Sequence, residues 1–177
     1  MSNALGLLAA IDAVGGDLGL AGLALAELDG LAGRGARLRV PVGGGEALVI
    51  DESYNANPAS MRATLAVLGA EPGRHLAVLG EMRELGAASP GYHAGLAAPV
   101  LAARVEAALL VGEAMTPLAE ALERQVDVVH VPDARAAEAA LGRILAPGDV
   151  VLVKGSNGVG LARVVAALGS GTRGGTR

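Results

Sequence analysis

Four short polar or glycine-rich runs each follow directly on an apolar run, and these are the places where the chain could do chemistry. The first is Asp51-Glu52-Ser53-Tyr54-Asn55-Ala56-Asn57-Pro58-Ala59-Ser60-Met61. Asn57 suits a helix N-cap, and Pro58 suits the first helical turn, where its missing N–H would have no partner. Capping does not account for two carboxylates, Tyr54 and Asn55 packed into the same turn; the alternative is an ordinary polar surface loop. The second run is Gly80-Glu81-Met82-Arg83-Glu84-Leu85-Gly86, readable as a loop with a buried Met or Leu and solvated charges. Gly112-Glu113-Ala114 is an ordinary strand-to-helix turn. The fourth, Lys154-Gly155-Ser156-Asn157-Gly158-Val159-Gly160, places a lysine and exposed backbone amides before a helix, an arrangement that suits an anion. Glycines making a tight turn explain it equally well.

Several chemistries lack their residues. Lys154 precedes the glycines, so the fourth run is not a Walker A loop, which needs G-x-x-x-x-G-K-[ST]. It is not a proper G-x-G-x-x-G either, and no acid follows about 20 residues later to meet a ribose, which argues against an oxidoreductase. His75, His93 and His130 share no metal-ligand spacing, and solvated or packed roles are expected of them. The chain has no cysteine, hence no disulfide or thiolate zinc site, and no G-x-S-x-G elbow. With 14 basic and 18 acidic residues the net charge is −4, and no basic stripe marks a nucleic-acid partner. No signal peptide and no run of about 18 apolar residues is present, so a cytoplasmic protein with no membrane partner is expected.

These loops need elements to hold them. Length and a hydrophobic content of 52% allow one well-buried domain with some extra structure. The core must be built from Ala, Leu and Val, because there are two Tyr and no Phe or Trp. Helical spacing predicts helices over 3–14 and 17–28, followed by a flexible joint at Gly30, Gly33 and Gly35. Two such helices cannot close a core alone, and Leu5, Leu8, Leu20 and Leu23 are expected to be exposed and to invite self-association. Leu38–Val42 and Glu46–Ile50 flank Gly43-Gly44-Gly45 as a β-hairpin. Strands are expected at 75–79, 107–111, 126–131 and 150–153, alternating with helices near 58–70, 89–104, 113–124, 133–145 and 158–168. That alternation predicts an α/β, Rossmann-like fold with a mostly parallel sheet flanked by helices. Ligands of such sheets gather at the C-terminal strand ends, where all four runs lie. The tail 170–177 has nothing to bury and is expected to be disordered.

Together the runs are more specific than any one alone. Asp51 to Pro58 with Ser60-Met61 resembles the signature of MurF-type ligases of the Mur ligase family. Val78-Leu79-Gly80-Glu81-Met82, Glu84-Leu85-Gly86 and His93 resemble the next family block, and Leu152-Val153-Lys154-Gly155-Ser156 the last. Order and approximate spacing agree over residues 2–168. The resemblance implies a helical remnant of the ATP-binding central domain at 1–33 and a Mur ligase C-terminal domain at 34–169.

It also implies an ATP-dependent amide ligase that adds D-Ala-D-Ala to UDP-N-acetylmuramoyl-tripeptide through an acyl-phosphate, in peptidoglycan precursor synthesis. By position Arg34, Glu52, Tyr54, Asn55 and Asn57 would face ATP, Glu52 standing where relatives often carry Asp. Lys154 and Ser156 would face the incoming dipeptide, and no residue here is assigned a catalytic or metal-ligating role. The family's P-loop, Mg²⁺ ligands and UDP-substrate domain have no counterpart in this sequence. The isolated chain is therefore expected to be inactive, to bind neither ATP nor Mg²⁺ tightly, and to need the missing N-terminal and central domains as partners. Met1 just before the helices is expected to reflect a truncated reading frame or an excised piece of a longer enzyme. A stand-alone nucleotide- or peptide-binding module is the alternative.

Overall fold

A computed structural model describes residues 2–26 and 31–170, and these fall into two compact units that divide between Gly30 and Leu31. The first unit is a pair of helices, α1 (Ser2–Ala13) and α2 (Leu18–Ala26). Asp17 accepts the amides of Gly19 and Leu20 and so starts α2. Leu8 is half-buried, whereas Leu20 and Leu23 are 67% and 64% exposed. The side chain of Leu5, residues Leu28 and Gly30, and the tail beyond Ser170 lie outside the described residues.

The second unit is a six-stranded sheet in the order β1-β2-β6-β3-β4-β5. Its strands are β1 (Ala36–Val42), β2 (Gly45–Glu52), β3 (Arg74–Gly80), β4 (Val105–Val111), β5 (Asp127–Val131) and β6 (Asp149–Lys154). β1 and β2 form the expected hairpin, turned at Gly43 and Gly44 with φ of 51° and 91°, and every other pairing is parallel. Pro41 sits on β1, at the edge, where its missing N–H costs no ladder bond. The central strand β6 is buried along its whole length, so Val150 and Leu152 point into one core and Val151 and Val153 into the other.

Topology decides which helix covers which face. The chain runs from β2 through β3 and β4 to β5 in one direction along the sheet, then returns to insert β6 between β2 and β3. Right-handed crossovers running in opposite directions must put their helices on opposite faces. Accordingly α3 (Pro58–Ala70), α5 (Ala97–Ala102) and α6 (Thr116–Leu122) supply Met61, Leu65, Val100 and Leu118 to one core. The other core receives Ala137 and Leu141 of α7 (Ala134–Ile144) and Val164 of α8 (Ala162–Ser170). Asn57 caps α3 through a reciprocal pair with Ser60, with Pro58 next to it, as the sequence predicts.

The helix expected over 89–104 is instead two, α4 (Ser89–Ala94) and α5. Pro99 lacks an N–H and its ring opposes the carbonyl four residues back, that of Gly95, so the helix breaks there. Away from the polar loops, the buried Asp149 takes the Arg74 guanidinium on both oxygens, at 2.8 and 2.7 Å. The same carboxylate accepts the Ala146 amide, which fixes the turn into β6. This pairing holds the Arg74 guanidinium pKa above its ordinary value. No helix among the described residues is long and apolar enough to cross a membrane.

Candidate functional site

The loop after β6 leaves toward one face of the sheet, and the loops after its neighbours β2 and β3 leave toward the other. A crevice opens where such loops diverge. Two adjoining pockets occupy it. The smaller, about 210 Å³, is lined by Gly33, Arg34, Glu52, Tyr54, Asn55, Asn57, Ser60 and Lys154. The larger, about 510 Å³, is lined by Asn55, Ala56, Asn57, Arg83, Glu84, Leu85, Ser156, Asn157 and Gly158. The turn Asn55–Asn57 is the wall between them.

Asp51 builds the smaller pocket. Only 4% exposed, its carboxylate accepts the Gly33 amide at 2.7 Å, and the amide and hydroxyl of Ser53 at 3.1 and 2.6 Å. The Gly35 amide donates to the Asp51 carbonyl, and the Tyr54 amide to the Gly33 carbonyl. These ties lay the Arg34 guanidinium over the Tyr54 ring, 4.1 Å from its centroid, a cation–π contact. Gly33 has φ 75°, and a Cβ there would lie 2.9 Å from that of Tyr54, so only glycine fits. Lys154 is 2% exposed, and its amine donates to the Asn55 carbonyl at 2.7 Å and to Glu52 at 3.5 Å. Burial lowers its pKa, and Glu52 opposes that shift only in part.

The larger pocket rests on the Glu81–Gly86 loop, whose backbone is pinned at successive residues. The Glu81 amide donates to the Val111 carbonyl, the Met82 amide to His93 Nε2 at 2.9 Å, and the Arg83 amide to Ser156 Oγ at 2.9 Å. His93 is fully buried; because Nε2 accepts, its proton sits on Nδ1 and is donated to the Ser89 carbonyl at 2.8 Å. Glu84 has φ 64°, a conformation uncommon for a non-glycine residue and one that concentrates at functional sites. Gly80 and Gly155 let two loops touch, since a Cβ on Gly155 would lie 3.0 Å from the Gly80 Cα and 2.9 Å from Leu161. The Lys154–Gly160 run thus owes its first glycine to packing and Gly160 to a left-handed φ of 78°, in a short 3₁₀ turn ahead of α8. Among the described residues no three His, Asp or Glu side chains gather as a metal group would.

Residues 36–157 match the family model described as Mur ligase, glutamate ligase domain. The chain belongs to the Mur ligase family. It is 37% identical over 162 residues to the UDP-N-acetylmuramoyl-tripeptide–D-alanyl-D-alanine ligase of Synechocystis sp., covering 84% of this chain and 36% of that protein. Among solved structures, MurF from Acinetobacter baumannii superposes with TM-score 0.75 at 26% identity, over 94% of this chain and 36% of that one. The MurF ligase of Thermotoga maritima in complex with ADP gives 0.72 at 25%, over 92% and 36%. The chain therefore spans about a third of the length of these relatives.

In this Mur ligase domain Arg34, Glu52, Tyr54, Asn55 and Asn57 share the smaller pocket. Lys154 and Ser156, both expected to face the dipeptide, line different pockets. The Lys154 amine lies with the Arg34 group, and Ser156 lines the larger pocket. Asp51, Arg83 and Glu84 carried no assignment from sequence, and His93 served there only as part of a family pattern. Asp51 was legible as one of two acids in a single turn, but its partner Gly33 is 18 residues away. His75 and His130 are held by carbonyls, of Ala103 and Glu71 for the first and Gly112 for the second.

Proposed function

We propose that the chain acts as the C-terminal domain of an ATP-dependent ligase of the MurF type, working in the cytoplasm. That ligase joins D-Ala-D-Ala to UDP-N-acetylmuramoyl-tripeptide during peptidoglycan precursor synthesis. The observation that carries this reading is the meeting of the three family motifs at β2, β3 and β6 as two pockets with a common wall. One pocket presents a guanidinium stacked on a phenol beside a carboxylate, which fits one edge of a nucleotide, with phosphate toward Arg34 and a hydroxyl toward Glu52. The residues present do not fit a whole triphosphate with Mg²⁺: the Lys154 amine is engaged within the pocket, and among the described residues no carboxylate group gathers for the metal.

ATP, when bound, supplies the phosphoryl group that makes a carboxylate an acyl donor. The chain's own residues orient the nucleotide from one side and, across the Asn55–Asn57 wall, hold the amine substrate. The remaining two-thirds of the ligase supplies the phosphate loop, the metal ligands and the UDP-substrate site, so the isolated chain is inactive.

Grafting the whole chain in place of the matching third of the Acinetobacter baumannii enzyme should give a chimera that forms amide product only with ATP, the UDP-tripeptide and D-Ala-D-Ala together. The purified chain alone should form none. A folded chimera without product, or turnover by the chain alone, would count against this reading.

A further inference from the structure

The larger pocket carries a guanidinium that its surroundings engage at one nitrogen. Arg83 is exposed, and among the described residues its side chain donates a hydrogen bond from Nε to Glu81 at 3.3 Å. Among the described residues its two Nη groups meet no acceptor. The guanidinium nevertheless has a fixed place. The Arg83 amide is held by Ser156, and the guanidinium lies so close over Gly158 that a Cβ there would overlap it. A planar fork with open Nη groups, mounted on a pinned loop and facing a cavity, suits a carboxylate or phosphate oxygen pair.

The rest of the lining decides between these two anions. Glu84 also lines the pocket and Glu81 borders Arg83, so a multiply charged phosphate would meet two carboxylates for one cation. A small zwitterion, with one carboxylate and one amine, matches that balance, and Asn55, Asn57, Ser156 and Asn157 add neutral hydrogen-bonding groups for a peptide unit.

We infer that Arg83 receives the terminal carboxylate of the amine substrate, with Gly158 left bare to seat the guanidinium. The inference deepens the reading above and rests on it for the identity of the dipeptide.

The test is a ¹⁵N NMR titration of the full 177-residue chain with D-Ala-D-Ala and, separately, with its C-terminal amide. The expected result is concentration-dependent shifts at the Ser156, Asn157 and Gly158 amides with the free dipeptide and at least tenfold weaker response to the amide. Arg83→Gln should remove that preference. Gly158→Ala, which keeps the charge but displaces it, should do the same. Equal response to acid and amide, or no shifts at these residues, would overturn the assignment of Arg83. Shifts that persist unchanged in Arg83→Gln would also overturn it while leaving the ligase reading intact, whereas an inactive chimera strikes that reading directly.

Discussion

Asp51→Ala should lower the melting temperature of the chain by roughly 10 °C. The buried carboxylate accepts three donors, two of them from Ser53 and one from Gly33 across 18 residues of sequence. Alanine leaves the Gly33 and Ser53 amides without acceptors in a space from which water is largely excluded. Hydrogen bonds to a charged acceptor contribute about 1.5–3 kcal/mol each, and they are not additive when they share one group. A loss of about 3 kcal/mol is the reasonable sum, and at about 2–4 °C per kcal/mol for a chain of this size it gives the stated shift. Asp51→Asn keeps an acceptor oxygen but turns an NH₂ toward a donor, so it should fall between. Thermal denaturation followed by circular dichroism would show this, and a shift smaller than about 2 °C for alanine would remove Asp51 as the organiser of the pocket. In the active chimera the same variant should weaken ATP use more than dipeptide use, because the ties that lay Arg34 over Tyr54 start from this carboxylate.

Lys154→Met should reduce kcat/KM for ATP by about a hundredfold in the chimera, with a smaller rise in KM for D-Ala-D-Ala, because the wall it holds borders both pockets. Methionine conserves most of the volume, so the core should tolerate it. What goes is the amine that holds the Asn55 carbonyl and draws in Glu52, and a displacement of about 1 Å at such a wall can cost a hundredfold in rate. If the dipeptide KM rises and the ATP KM does not, Lys154 belongs to the other substrate. The variant also carries a signature in pH. Burial lowers the folded-state pKa of Lys154 below its usual 10.5, so near that value the unfolded chain binds more protons than the folded one. Stability contributed by Lys154 must then rise as pH increases through the lowered pKa toward 10.5. Denaturant titrations of the two proteins across that window should show the wild type gaining on Lys154→Met, and a loss with rising pH would contradict the burial argument.

Much of the scaffold could be read in advance because its signals are local. Asn57-Pro58 ahead of Met61, Leu65 and Leu68 marks a helix start and a buried face within one stretch of sequence. The apolar strands at 75–79, 107–111 and 150–153 could bury both faces only in a covered parallel sheet. The last helix begins at Ala162 rather than 158, because Asn157–Val159 form a 3₁₀ turn and Gly160 goes left-handed, a choice set by contacts with the Glu81 loop. Grouping within the site was harder still. Lys154 and Ser156 are two residues apart on an extended segment, yet each belongs to a different pocket. Which pocket each enters depends on β6 being threaded between β2 and β3, and pairing order leaves no trace in the local pattern.

The stack of Arg34 on Tyr54 makes the molecule its own optical reporter. With no tryptophan and two tyrosines, near-ultraviolet emission comes from Tyr54 and Tyr92 alone. Tyr92 lies on α4, outside both pockets, and replacing it with phenylalanine would leave a single emitter. That emitter lies beneath the cation proposed to meet phosphate. Any anion that draws the guanidinium off the ring alters the fluorophore's immediate surroundings, so occupancy of the smaller pocket becomes readable in unlabelled protein, without a coupled assay or turnover.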